Sequence, residues 1–341
     1  MQYVRFGNTS LRVSRISLGC MSYGSSQWQD WVKDEKDSLA LIEKAYKQGI
    51  NFFDTADGYS NGESERILGK AIKQFDFPRS RIVVATKVFF PVANDIASNV
   101  LGAKPEDNPE FVNGYGLSRK HIFDAVDASL KRLGLDYIDI LYIHRYDDNT
   151  PIEETMEALH DVVKSGKVRY LGASSMNAWK FVQANYVAEL KGWTKFVCMQ
   201  NLYNLIYREE ERDMIPYLIN QGIAMVPWSP LARGLLSRPS QESSVRSSSD
   251  RGISGFFAEK ESANNSEINE RVAHLSKEKG VSMSQIALAW VFSKPFVTSP
   301  ILGIGKEEHL YDLVNALDVK LTEEDIAYLE QPYIPRNLIP M

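Results

Sequence analysis

Short apolar runs alternate with amphipathic stretches along most of the chain. The opening residues read as a hairpin: Tyr3 to Phe6, a Gly7-Asn8 turn, then Leu11 to Val13. The apolar runs that follow predict strands at Ile16–Gly19, Asn51–Asp54, Ile82–Lys87, Ile138–His144, Tyr170–Ala173, Phe196–Gln200, Ile223–Trp228 and Ser299–Gly303. Between them the 3.6-residue period predicts helices, among them Glu35–Gln48, Glu63–Gln74, Lys120–Leu133, Ile152–Ser165 and Glu209–Asn220. Gly49, Gly134, Gly166 and Gly222 close several of these, as a left-handed C-cap requires. Continuous apolar strands separated by helices imply a parallel sheet buried on both faces. Eight such units either close into a (β/α)8 barrel or lie open as a doubly wound sheet. No G-x-G-x-x-G follows any candidate strand, and the count of eight favours the barrel.

Two segments break the rhythm. One, 91–118, follows the third strand and is rich in Asn, Gly and Pro; the other, 232–265, follows the seventh. In a barrel both emerge at the C-terminal rim, where sites are built, and their position after strands favours a covering role over that of idle insertions. Residues 321–341 read as a short helix followed by extended coil, and the whole of 1–341 as one barrel domain.

Composition narrows the field. The 341 residues are 44% hydrophobic and 24% charged, as in ordinary globular proteins, with a net charge of −5. An acidic chain of this kind lacks the basic face that a nucleic-acid or anionic-membrane partner requires. Cys20 and Cys198 are too few for a disulfide framework, which points to a reducing, cytoplasmic setting. The N-terminus has no signal-peptide pattern, and no stretch approaches the roughly 20 apolar residues of a membrane span. The triplets at Asn8 and Asn264 are read as chance matches to a glycosylation signal.

Polar residues at strand C-termini point into the rim. Asp54 ends NFFD, Lys87 ends VVATK, His144 ends ILYIH, and Tyr59 lies just beyond the second strand. Singly, such an Asp is often a helix cap and such a His a structural residue. A lysine closing an apolar strand is harder to dismiss, because a buried ammonium needs a carboxylate, and Asp54 is the candidate. Together the four suit carbonyl reduction, in which the protein protonates and stabilises a developing alkoxide. Tyrosine is a poor acid at its usual pKa of about 10, and a neighbouring ammonium pulls that value down.

The runs NFFDTADGYSNGESERILGKAIK, RIVVATKV and LGLDYIDILYIHR resemble the three signature blocks of the aldo-keto reductase family. The opening hairpin, GASS, MQNLYN, VPWSPLARGLL and SPILGIGKEEH also fall where that family has landmarks, and the pattern is most similar to its fungal aryl-alcohol dehydrogenase branch. The resemblance implies that Tyr59 is the acid, Lys87 its activator, Asp54 the partner of Lys87, and His144 the donor that orients the carbonyl. It implies a nicotinamide cofactor along the rim, with Ser174 and Gln200 bonded to the amide and Trp228 stacked on the ring. The backbone from Ser229 through Leu231 to Gly234, with Gly303, Gly305, Lys306 and His309, would hold the phosphates and adenosine.

The chain departs from the family at three places that bear on the cofactor. Ser175 stands for the usual Asn, His309 for a common Arg or Gln, and Leu313 for a common Asn. Lys306 is the nearest cation for a 2′-phosphate, so NADPH (NADP+) is expected rather than NADH. Met21, Trp28, Phe89, Phe90 and Tyr146 lie just after barrel strands and predict an aromatic mouth suited to aromatic or medium-chain aldehydes rather than sugars or charged acids.

Three rival readings stand beside the reductase. Lys87 could be a Schiff-base nucleophile in a lyase. A metal hydrolase needs clustered strand-end histidines, whereas His121, His160, His274 and His309 fall on helices, so no metal is expected. Relatives of this fold also serve potassium channels as redox-sensing, cofactor-binding subunits, a role that needs an oligomeric surface.

Overall fold

The computed structural model describes residues 1–101, 108–242, 249–250 and 263–338. Strands β1 (Tyr3–Arg5) and β2 (Arg12–Ser14) form the antiparallel N-terminal hairpin. The next eight strands are β3 (Ser17–Gly19), β4 (Phe52–Asp54), β5 (Val83–Val88), β6 (Ile138–Ile143), β7 (Val168–Ser174), β8 (Phe196–Gln200), β9 (Ala224–Met225) and β10 (Ile301–Leu302). They form one parallel sheet in the order β10-β3-β4-β5-β6-β7-β8-β9. The two ends meet: Thr298 N donates to Met225 O at 2.8 Å and Ile301 N to Pro227 O at 2.9 Å, closing the barrel.

Helices α1 (Glu35–Lys47), α2 (Glu63–Gln74), α3 (Arg119–Leu133), α4 (Ile152–Lys164), α5 (Ala178–Lys191) and α6 (Met214–Gln221) alternate with the strands. After them come α7 (Ala263–Lys279), α8 (Met283–Ser293), α9 (Glu307–Asn315) and α10 (Glu323–Glu330). The outer core fills the space between the strands and this ring.

Alternation along the strands decides what faces the barrel axis. Phe52, Val83, Ala85, Ile140, Tyr142, Cys198, Ala224 and Val226 fill the interior, and Phe6 and Val13 of the hairpin join them from below. Phe6 is fully buried and meets Phe52 edge-on at 5.7 Å, so the hairpin is the barrel's floor. The same alternation carries Asp54, Lys87 and Gln200 to the upper end of the interior.

Several expected elements differ in extent. β9 and β10 are shorter than Ile223–Trp228 and Ser299–Gly303, because Pro227 and Pro300 cannot donate to the ladder. The helix expected over Glu209–Asn220 is a 3-10 turn at Glu209–Glu211 followed by α6, whose first turn accommodates Pro216. Of the two rim insertions, 102–107, 243–248 and 251–262 lie outside the described residues, as do 339–341 of the tail.

Candidate active site

Lys87 is completely buried, and each of its three ammonium protons has an acceptor. Nζ donates to Asp54 Oδ1 at 2.5 Å, to the Thr55 carbonyl oxygen at 2.7 Å and to the Tyr59 hydroxyl oxygen at 3.3 Å. Asp54 accepts in turn from Gln200 Nε2 at 2.8 Å. Burial disfavours the ammonium, but Asp54 and Tyr59 outweigh it and hold the Lys87 pKa above the usual lysine value. Tyr59 is governed by the opposite balance: burial pushes its hydroxyl up, and Lys87 only partly offsets that. The resting hydroxyl is therefore fully protonated, with a cation in place to receive negative charge on its oxygen.

His144 stands edge-on to Tyr59, ring centroids 5.7 Å apart, and to Phe90, 5.0 Å apart. Burial, then Arg145 and Lys87, drive its pKa well below the histidine norm, so the imidazole is neutral. Its Nδ1 is buried without a hydrogen-bond partner among the described residues. Trp28 Nε1 is in the same condition, and the Trp28 ring packs with Trp31, Val32, Ala56 and Tyr59, with Met21 and Leu101 against them.

Met21, Trp28 and Phe90 are thus brought to the Tyr59–His144 pair, while Phe89 stands one ring further off, 5.1 Å from Phe90. Phe89 meets Tyr115 at 4.8 Å, and Tyr146 lies under the Lys180 ammonium at 4.4 Å. The segment after β5 is drawn across this mouth by Asn61, whose Nδ2 donates to the carbonyl oxygens of Asp95, Ile96 and Ser98.

A second polar group lies beside the first. Ser174 Oγ donates to the Gln200 carbonyl oxygen at 2.9 Å, and the Trp228 indole N–H donates to Ser175 Oγ at 3.2 Å. Ser175 holds left-handed backbone (φ 52°), fixed by its N–H donating to Asn201 Oδ1 at 2.7 Å. Asn201 Nδ2 donates to Glu210 at 2.5 Å. Ser175 thus steadies Trp228, while Gln200 spends its amide N–H on Asp54. Leu313 is buried in the core, away from any polar role.

Beyond Trp228, Ser229, Ala232 and Arg233 also take left-handed backbone, which turns the chain sharply at the rim through Leu231 and Gly234. Arg238 folds back on Gly234, and its Nη1 is buried with no hydrogen-bond partner among the described residues. The pKa of His309 is lowered by burial, then by Lys306, with Arg238 adding to it. Gly303, Gly305 and Lys306 precede α9 on the same side, so Lys306 and Arg238 set positive charge near a helix N-terminus whose first turn also carries Glu307 and Glu308. A buried guanidinium nitrogen without a partner fits a phosphate group, and the neighbouring Trp228 face fits an aromatic ring.

Sequence reasoning missed Asn201, Glu210, Arg145 and Arg238. Arg145 adjoins His144 in its signature block, and Arg238 follows GLLS, but neither carries a local pattern that announces a site.

The model of the aldo/keto reductase family matches residues 15–334. A versiconal hemiacetal acetate reductase of Aspergillus parasiticus is 49% identical, covering 100% of this chain and 99% of its own length. A putative aryl-alcohol dehydrogenase of Schizosaccharomyces pombe is also 49% identical, over 98% and 96% respectively. An aldo-keto reductase of Alternaria alternata is 46% identical, over 97% and 91%.

Proposed function

The chain belongs to the aldo/keto reductase family, and on that premise we propose that it reduces aromatic or medium-chain aldehydes to alcohols with NADPH, reversibly. The observation that carries this reading is the buried series Gln200–Asp54–Lys87–Tyr59, ending at a hydroxyl beside a neutral imidazole.

The nicotinamide, when bound, supplies the hydride. His144 donates a hydrogen bond to the substrate carbonyl oxygen and sets its direction. Tyr59 gives its proton to that oxygen as negative charge develops there. Lys87, held by Asp54 and the Thr55 carbonyl, stabilises the tyrosinate left behind. Trp28, Met21 and Phe90 exclude water from the carbonyl and accept an apolar substituent. Ser174, Ser175, Gln200 and Trp228 would hold the nicotinamide, and Lys306, His309 and Arg238 would hold the 2′-phosphate. A Lys87 amine acting as a Schiff-base nucleophile is disfavoured by three satisfied donor bonds and a raised pKa.

Two variants test the reading. Tyr59→Phe should lower turnover about 100-fold or more, the range of general acid catalysis, while NADPH affinity by tryptophan fluorescence stays within about twofold. Retained turnover would remove Tyr59 as the acid. Arg238→Met should weaken NADPH by about tenfold or more and leave NADH nearly unchanged, as loss of a charge-assisted phosphate bond requires. Equal losses for both nucleotides would take Arg238 out of 2′-phosphate recognition.

A further inference from the structure

Arg145 follows His144 directly at the rim end of β6, and among the described residues its guanidinium is little engaged. Among the described residues its hydrogen bond is Nη1 to the His144 carbonyl oxygen, 2.7 Å, and no carboxylate pairs with it. Arg233 provides the contrast, since Asp250 clasps it with two bonds of 2.7 Å. A guanidinium carries five N–H donors, and Arg145, half-buried at the rim, keeps most of them for an incoming anion. Burial first, then Arg233, lower its pKa to about 10, so it remains charged at neutral pH.

Its position ties that charge to the reacting centre. The Arg145 guanidinium lies 5.7 Å from the centroid of Phe90, the ring that stands 5.0 Å from His144. It also interacts electrostatically with Tyr59. The residues assigned to the nicotinamide lie at the ends of β7 and β8 or after β7 and β9, whereas Arg145 and Phe90 follow β6 and β5. The cation therefore belongs to the wall that the substrate meets.

We infer that Arg145 makes this site select carbonyl substrates that carry a carboxylate on the same aromatic scaffold. The inference rests on the reductase reading above, and it changes the sequence expectation of a mouth that disfavours charged acids. Phe90 and Trp28 take the ring, Tyr59 and His144 take the carbonyl, and Arg145 takes the anionic group through charge-assisted bonds.

The test compares the three carboxybenzaldehydes with their methyl esters, using wild type, Arg145→Met and Arg145→Lys, with NADPH as cofactor. Wild type should favour at least one acid over its ester in kcat/KM by about tenfold or more, the worth of one strong charge-assisted contact. Arg145→Met should erase that ratio, Arg145→Lys should keep part of it, and NADPH affinity should stay within twofold in both. The same acid-to-ester ratio in wild type and Arg145→Met overturns the inference, as does a loss of cofactor affinity in its place. Benzoate binding to the NADP+ complex separates the two levels. Arginine-dependent benzoate binding with no carbonyl turned over supports the role of Arg145 and removes the reductase reading. Turnover of neutral aldehydes with arginine-independent benzoate binding does the reverse.

Discussion

Glu210 lies beneath the rim, almost wholly buried, with Asn201 Nδ2 donating to it at 2.5 Å. Burial pushes its carboxyl up to about 7, against the pull of the Asn201 bond and with some help from Glu209. A folded pKa raised above the unfolded value favours the protonated form. The associated stability is complete below the unfolded pKa of about 4.5 and is lost as pH rises through about 7. Glu210→Gln keeps an acceptor for Asn201 and removes the titration. It should therefore gain on wild type by about 2–3 kcal/mol between pH 5 and pH 8, read from denaturant midpoints. Parallel behaviour of the two proteins would show that Glu210 does not titrate in that window. Glu210 and Arg238 were invisible in the sequence for the same reason, since each lies on a connection whose path is set by distant packing. Asp54, Lys87 and His144 were legible because each is a polar residue ending an otherwise apolar strand, and period-two alternation says where it points.

At the level of elements, the barrel interior is packed tightly enough to dictate a single glycine. A Cβ on Gly172 of β7 would lie 2.5 Å from Tyr142 ring carbons on β6 and 2.6 Å from Cys198 Sγ on β8. Gly172→Ala should therefore cost about 1–3 kcal/mol, the range for overpacking, measured as a fall in unfolding midpoint. An unchanged midpoint would show that ring and thiol both give way. The strands themselves were readable from their apolar runs, and the shortfalls in β9 and β10 came from prolines already present in the sequence. The helix over Glu209–Asn220 misled because its acidic start follows the helical pattern, yet its carboxylates turn to tertiary partners. Tyr333 and the Arg336 N–H donate to Glu209, while Asn201 donates to Glu210. Local periodicity cannot register a competition decided outside the helix, for Glu209 by residues 124 and 127 positions away.

For the whole molecule, the hairpin floor and the closing seam depend on one another. Ser17 N donates to the Pro300 carbonyl oxygen at 3.0 Å, and Ser299 Oγ to the Ser14 carbonyl oxygen at 2.9 Å. Arg15 adds bonds to the carbonyl oxygens of Val297, Thr298 and Phe292. The seam has a consequence in time. On a growing chain β3 emerges early, while its partner arrives much later: Arg15 and Thr298, which bond at 2.8 Å, are 283 positions apart. Throughout that interval β3 keeps an unpaired edge, and Phe6 has no completed interior to enter. Such non-local pairing slows folding and leaves apolar surface exposed on the unfinished polypeptide. The last strand to leave the ribosome is the one that makes the first strands native.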